Sequence, residues 1–162
     1  AGRGRTTAPR PGFEEGGEVC SGDALLPTTI PTPGLQFPGA ITGDLGASRW
    51  PSLPPFLASV EAIAALRPAR ILPGHGDVVE DPARLSEQFR EHHARRARQV
   101  RGALASGGAR SAHAIARALF PRVGGVRIAQ AMIEVIGHLD ILEADGAARC
   151  DRDGGILRYS LI

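Results

Sequence analysis

Hydrophobic and polar positions divide the chain into alternating extended and helical stretches. Glu18 to Ser21 fits a short strand, which stops at Gly22-Asp23, where glycine lets the backbone turn and leaves the aspartate at the strand's C-terminal edge. Prolines at 27, 31, 33, 38, 51, 54 and 55 then exclude a continuous helix or a central strand, so Ala24 to Pro55 is expected to be one long ordered or semi-ordered loop. Phe56, Leu57, Val60, Ile63 and Leu66 recur every three or four residues and predict a helix with one inward face, stopped by Arg67-Pro68. Arg70-Ile71-Leu72 reads as a short buried strand, and Pro73-Gly74-His75-Gly76-Asp77 as the turn that delivers His75 from its end. Strand, helix, strand, loop is α/β grammar.

The pattern after this point changes. A long helix is predicted from about Pro82 to Leu104, with Leu85, Phe89, Val100 and Leu104 on its apolar side, and Gly107-Gly108 ends it. A short helix capped by Ser111 and closed by Phe120-Pro121 follows. The longer helix near Arg127 to Ala144 has the cleanest period in the chain, with Ile128, Ala131, Met132, Val135, Leu139 and Leu142 on one side. Two extended runs, Ala147 to Cys150 and Ile156 to Leu161, flank Asp151-Arg152-Asp153-Gly154-Gly155 and read as a hairpin with a glycine-rich tip. Helix, helix, helix, hairpin is the winged-helix plan. Ala1 to Gly17 has neither period and is expected to be disordered or truncated, and a chain that opens on Ala1 is expected to be a fragment.

Composition narrows the function classes. At 162 residues the chain can bury one core and a small second module, and no apolar run approaches the roughly 18 residues of a membrane helix. Nineteen Lys+Arg against 17 Asp+Glu give +2, too small an excess to favour nucleic acid on charge alone. All the basic side chains are arginine, which reads as codon bias. Cys20 and Cys150 are too few for a disulfide scaffold and too far apart for a zinc knuckle, so a reduced, cytoplasmic protein is expected.

Two places can carry chemistry. Asp23 and His75 both sit in glycine-flanked turns at strand ends, the address from which two side chains reach out of a sheet into one cleft as metal ligands. Taken singly, each has an ordinary alternative, a turn aspartate and a solvated loop histidine; Gly43-Asp44 is such a turn. Cys20, three residues before Asp23, could ligate a metal or be a buried strand cysteine. On the long helix, Glu87 with Arg90 and Glu91 with Arg95 make ordinary pairs, and the remaining arginines could meet an anionic substrate.

In their order along the chain, Gly22-Asp23-Ala24-Leu25-Leu26-Pro27, the proline-rich loop, Leu57-Ala58-Ser59-Val60, Ile71-Leu72-Pro73-Gly74-His75-Gly76 and a helix containing His92-His93 resemble the C-terminal half of metallo-β-lactamase-fold hydrolases. Within that superfamily the chain is most similar to the branch of lactamase-like protein 2 type hydrolases, related in site design to glyoxalase II. The resemblance implies an α/β fold, a partial metallo-β-lactamase αββα fold over 18–81, with 82–108 as a connecting long helix. A small α+β winged-helix-like domain over 109–162 completes it. It also implies zinc as the cofactor, in a two-metal site where Asp23 bridges and His75 holds the second metal, with His92 and His93 near the substrate opening. Complete relatives use a metal-held hydroxide on esters, thioesters, lactones, β-lactams or phosphodiesters, so a small-molecule or anionic substrate is implied.

The chain departs from the family in two respects. No His-x-His-x-Asp-His motif precedes Asp23, because its five histidines are His75, His92, His93, His113 and His138, and Ala24 stands where many relatives have histidine. Asp23 and His75 would supply two ligands where catalytic zinc takes about three plus a water, so at most a half-site and a truncated or decayed hydrolase are expected. The alternative is a noncatalytic winged-helix interaction module or homodimerisation module. DNA binding is disfavoured, because the candidate recognition helix is expected to expose Glu134, His138, Asp140 and Glu143 beside Gln130, and acidic groups repel phosphates.

Overall fold

Val19 and Ser21 point inward from a five-residue strand whose other residues face out, the two-residue alternation that a half-buried strand requires. This strand, β2 (Glu18–Gly22), is the middle of a three-stranded sheet between β1 (Glu14–Glu15) and β3 (Arg70–Pro73). β1 pairs antiparallel to β2; β2 and β3 are parallel, in the register Glu18 to Arg70, Val19 to Ile71, Cys20 to Leu72 and Gly22 to Pro73, with an irregularity between Cys20 and Gly22. The computed structural model describes residues 14–15, 17–37 and 49–162. The disorder expected for residues 1–13 and the Gly43-Asp44 turn lie outside these. Within the stretch expected to be disordered or truncated, Glu14–Glu15 is a strand, and the Gly17 carbonyl accepts the Ala69 amide at 2.6 Å. Cys20 is exposed, not a buried strand cysteine.

The described chain forms two compact units, Ala1–Pro33 with Pro54–His92 and Gly34–Leu53 with His93–Ile162. In the first, helix α1 (Leu53–Ala65) begins three residues before its hydrophobic period does. Pro54 and Pro55 fall in its first turn, where no intrahelical amide bond is lost, so proline density did not delay the helix as expected. Phe56, Val60 and Ile63 are buried, whereas Leu66, expected on the same stripe, lies past the helix end and is exposed. Helix α2 (Pro82–Ala105) is capped by Asp81, whose Oδ1 accepts the Arg84 amide at 3.0 Å. From α2 Phe89 meets Phe56 with ring centroids 5.9 Å apart. Val79 returns to pair with Ile71 through two backbone hydrogen bonds of 2.9 and 3.0 Å, folding the segment after β3 back along it.

The second unit holds the rest of α2, helices α3 (Ala112–Leu119) and α4 (Arg127–Ala144), and a hairpin of β4 (Ala148–Asp153) and β5 (Ile156–Leu161). Ser111 caps α3 by accepting the Ala114 amide at 3.2 Å. The hairpin turns on Gly154 and Gly155, both at positive φ, the conformation a two-residue connection between twisted strands needs. Val100, Leu104, Ile115, Val135, Leu139 and Tyr159 lead one buried cluster. Gly137 lies against Leu53, where an added Cβ would come within 2.8 Å of the leucine side chain.

Polar groups enter this core in pairs. Asp140 is buried and held by Arg49 through a bidentate ion pair, with Nη1 to Oδ2 at 2.7 Å. His138 is fully buried; its Nδ1 lies 2.8 Å from the Glu134 carbonyl, which can only accept, so Nδ1 carries the proton. Nε2 then accepts from His93 Nδ1 at 3.5 Å, and the two rings stack with centroids 5.5 Å apart. Arg96 pairs with Glu134 at 2.6 Å and lies 4.5 Å over the Phe120 ring. The expectation that α4 exposes His138 and Asp140 is therefore corrected, since both turn inward to partners. Among the described residues no helix is long and apolar enough to cross a membrane.

Three outcomes are expected of this unit. Gly137→Val forces a shift against Leu53 and should cost about 2 kcal/mol in urea unfolding. Asp140→Ala leaves Arg49 half-buried without its carboxylate and should cost about 2 kcal/mol by the same measurement. Burial holds the His138 imidazole below its usual pKa, partly opposed by the Glu134 carbonyl, with Arg96 also lowering it. The unfolded chain therefore takes up the proton more readily than the folded one. Stability is then full above the unfolded value of about 6.5 and declines as pH drops toward the lower folded value. Urea midpoints at pH 7.5 and 5.5 should differ for the wild type, and less for His138→Gln.

Candidate metal site

Parallel neighbours bring their C-terminal ends to the same edge of a sheet. Asp23 immediately follows β2, and His75 lies two residues past β3. The two turns are tied to each other by the Gly74 amide, which donates to the Gly22 carbonyl at 2.7 Å. The aspartate turn is closed by the Ala24 amide on the Ser21 carbonyl at 3.1 Å and by the buried Ser21 hydroxyl, which donates to the Leu25 carbonyl at 3.1 Å. Gly22 adopts φ +54°, the left-handed region that glycine enters without strain.

His75 Nδ1 lies 2.7 Å from Asp23 Oδ1, and the side chains are 79% and 62% exposed. The structure thus brings together the two residues singled out from the sequence, 52 positions apart, in open solvent. Gly74 makes this approach feasible: a Cβ there would stand 2.5 Å from Asp23 Oδ1 and 3.1 Å from the Gly22 carbonyl carbon. A Cβ on Gly76 would likewise reach within 2.8 Å of Pro27.

A carboxylate oxygen and an imidazole nitrogen suit zinc and similar borderline cations. Among the described residues, however, no group of three or more His, Cys, Asp or Glu side chains could hold a metal ion. The pair fits as part of a donor set and does not complete one. Cys20 points out of the strand and joins no such group. His92 is half-buried on α2. His93, expected near a substrate opening, is 5% exposed and packed on His138, because its ring is needed as that residue's hydrogen-bond partner. His113 is exposed on α3.

Sequence reading missed two contributors to the site and, in the second unit, one ion pair. Ser21 carries no motif, and only its inward place in β2 marks it. Gly74 was visible as a turn residue, but its closeness to Asp23 depends on strand pairing. Arg49 and Asp140 are 91 positions apart, with nothing local to link them.

No family model matches the chain. The Bacillus subtilis (strain 168) protein named "Probable metallo-hydrolase YqjP" is 31% identical over 146 residues, which are 90% of this chain and 44% of that protein. A metallo-β-lactamase family protein from Thermus thermophilus shares the fold at a TM-score of 0.68 and 27% identity, over 90% of this chain and 42% of that one. A β-lactamase domain protein from Burkholderia ambifaria does so at a TM-score of 0.72 and 26% identity, over 90% and 41%. The chain spans less than half the length of each. Relatedness in sequence and likeness in fold lead to one superfamily: over 90% of its length the chain is similar to proteins of the metallo-β-lactamase fold.

Proposed function

We propose that this chain is the ligand-bearing C-terminal portion of a metal-dependent hydrolase, with Asp23 and His75 as two of the ligands and zinc as the metal. The observation that carries the reading is the 2.7 Å approach of the two side chains at adjoining strand ends, both open to solvent. A metal held there would supply hydroxide near neutral pH and polarise the scissile group of an ester, thioester, lactone or phosphodiester. The chain's own residues hold the donors in place: Ser21 closes the turn behind Asp23, Gly74 leaves room for its carboxylate, and Asp23 orients the His75 ring through Nδ1. The superfamily relatives support the metal and the hydrolytic class, and no residue here selects among those substrates.

The order α2, α3, α4, β4, β5 supports reading the second unit as winged-helix-like. A noncatalytic interaction or dimerisation module, the second reading, rests on this unit.

Zinc affinity of the purified chain, measured by competition with a chromophoric chelator, tests the proposal. Asp23→Ala and His75→Ala should each weaken binding by about tenfold or more. Gly74→Ala should also weaken it, with an unchanged circular dichroism spectrum, because the added Cβ displaces the Asp23 carboxylate. Zinc binding that ignores all three substitutions, or its absence from a folded chain, would leave the interaction module as the better account.

A further inference from the structure

A concave surface lies in the first unit, and neither Asp23 nor His75 lines it. It is an open cleft of about 550 Å³ between the end of α1, the start of β3 and the first turns of α2, a volume typical of small-molecule sites. Ala64, Pro68, Ile71, Pro82 and Ala83 give it apolar walls.

Its charged rim is unevenly satisfied. Arg90 is engaged by Glu61 through two bonds of 2.9 Å and by Glu87 at 3.2 Å, so these groups neutralise one another. Asp81 caps α2. Glu80 has only a 3.9 Å approach to Arg70, which is itself paired with Glu18. Arg67 has no ion-pair or hydrogen-bond partner for its guanidinium among the described residues. Arg67 and Glu80 therefore line the same cleft with opposite charge and do not pair with each other, and Glu80 has only the long contact to Arg70.

The backbone under Arg67 is unusual. The residue takes φ +49° after the last turn of α1, where its amide donates to the Ala64 carbonyl at 3.1 Å. That left-handed position is normally glycine's, and Pro68 disfavours the right-handed alternative. An arginine here places a long cationic side chain at the cleft where glycine would suit the main chain better.

From this charge pattern we propose that the cleft binds a small amphipathic zwitterion of the α-amino-acid class. Its carboxylate meets Arg67, its ammonium meets Glu80, and its apolar group lies against the alanine and proline walls. Two charges of opposite sign, each with an unfilled capacity, match a ligand bearing both and penalise a ligand bearing one.

Calorimetric titration of the chain with L-phenylalanine, 3-phenylpropanoate and 2-phenylethylamine separates the possibilities, since the three differ only in which charged groups they carry. Phenylalanine should bind at least tenfold more tightly than either single-charge analogue. Arg67→Gly should remove that advantage while leaving the thermal midpoint unchanged or higher, because glycine fits the left-handed turn. Glu80→Gln should bring phenylalanine down to the level of phenylpropanoate. Equal binding of phenylalanine and either analogue overturns the proposal, as does no heat from any of the three at millimolar concentration. Unaltered phenylalanine affinity in Arg67→Gly overturns it too. None of these readings depends on metal or on hydrolysis.

Discussion

The parallel pairing of β2 with β3 is the constraint on which the candidate chemistry depends. Four register contacts fix where each strand ends, and the residues just beyond those ends are Asp23 and His75. An antiparallel arrangement would send the two turns to opposite edges of the sheet and separate the donors by the full strand length. The irregularity between Cys20 and Gly22 matters in the same way. It shifts the phase of β2 by one step just before its end, so that Gly22 opposes Pro73 and the glycine amide at 74 can reach the carbonyl at 22. Sheet pairing, more than any side-chain bond, brings the carboxylate and the imidazole together.

Much of this was legible in the sequence because it is local. The glycine-flanked turns, the capped α3 and the hairpin tip all show in residue type, and the periodic face of α4 shows in spacing. What escaped was of two kinds. Element ends were misjudged where a residue's ordinary preference is suspended by position, as with Pro54 and Pro55, which interrupt a helix interior but not its first turn. Long-range partners were invisible. His138 and Asp140 look like surface residues on a helical projection, and only the arrival of His93 and Arg49 permits their burial. The same limit applied to the site, where the two ligands could be named but not the room that Gly74 leaves between them.

The two units solve the problem of buried polarity differently. In the first, the charged groups of α1 and α2 stay at the surface and form exposed pairs, each contributing little. In the second, an arginine–carboxylate pair and a stacked imidazole pair are taken inside, where a missing partner would be costly. Such groups tie the position of α4 to particular residues instead of to general hydrophobic packing. The buried His138 also makes that unit responsive to acid.

Parallel strands need a connection that crosses from the end of one to the start of the next, and here it occupies the positions between Gly22 and Arg70. The entropic cost of closing such a connection rises only slowly with its length. Added or lost length in this crossover is therefore cheap in chain entropy where it spares α1 and the Arg49 pairing, while one residue inserted between Gly22 and Asp23, or between Pro73 and His75, would rotate a donor away from its partner. Homologues are then best aligned on the two strand ends and allowed any interval between them, since a search that demands a fixed spacing of aspartate and histidine would discard true relatives.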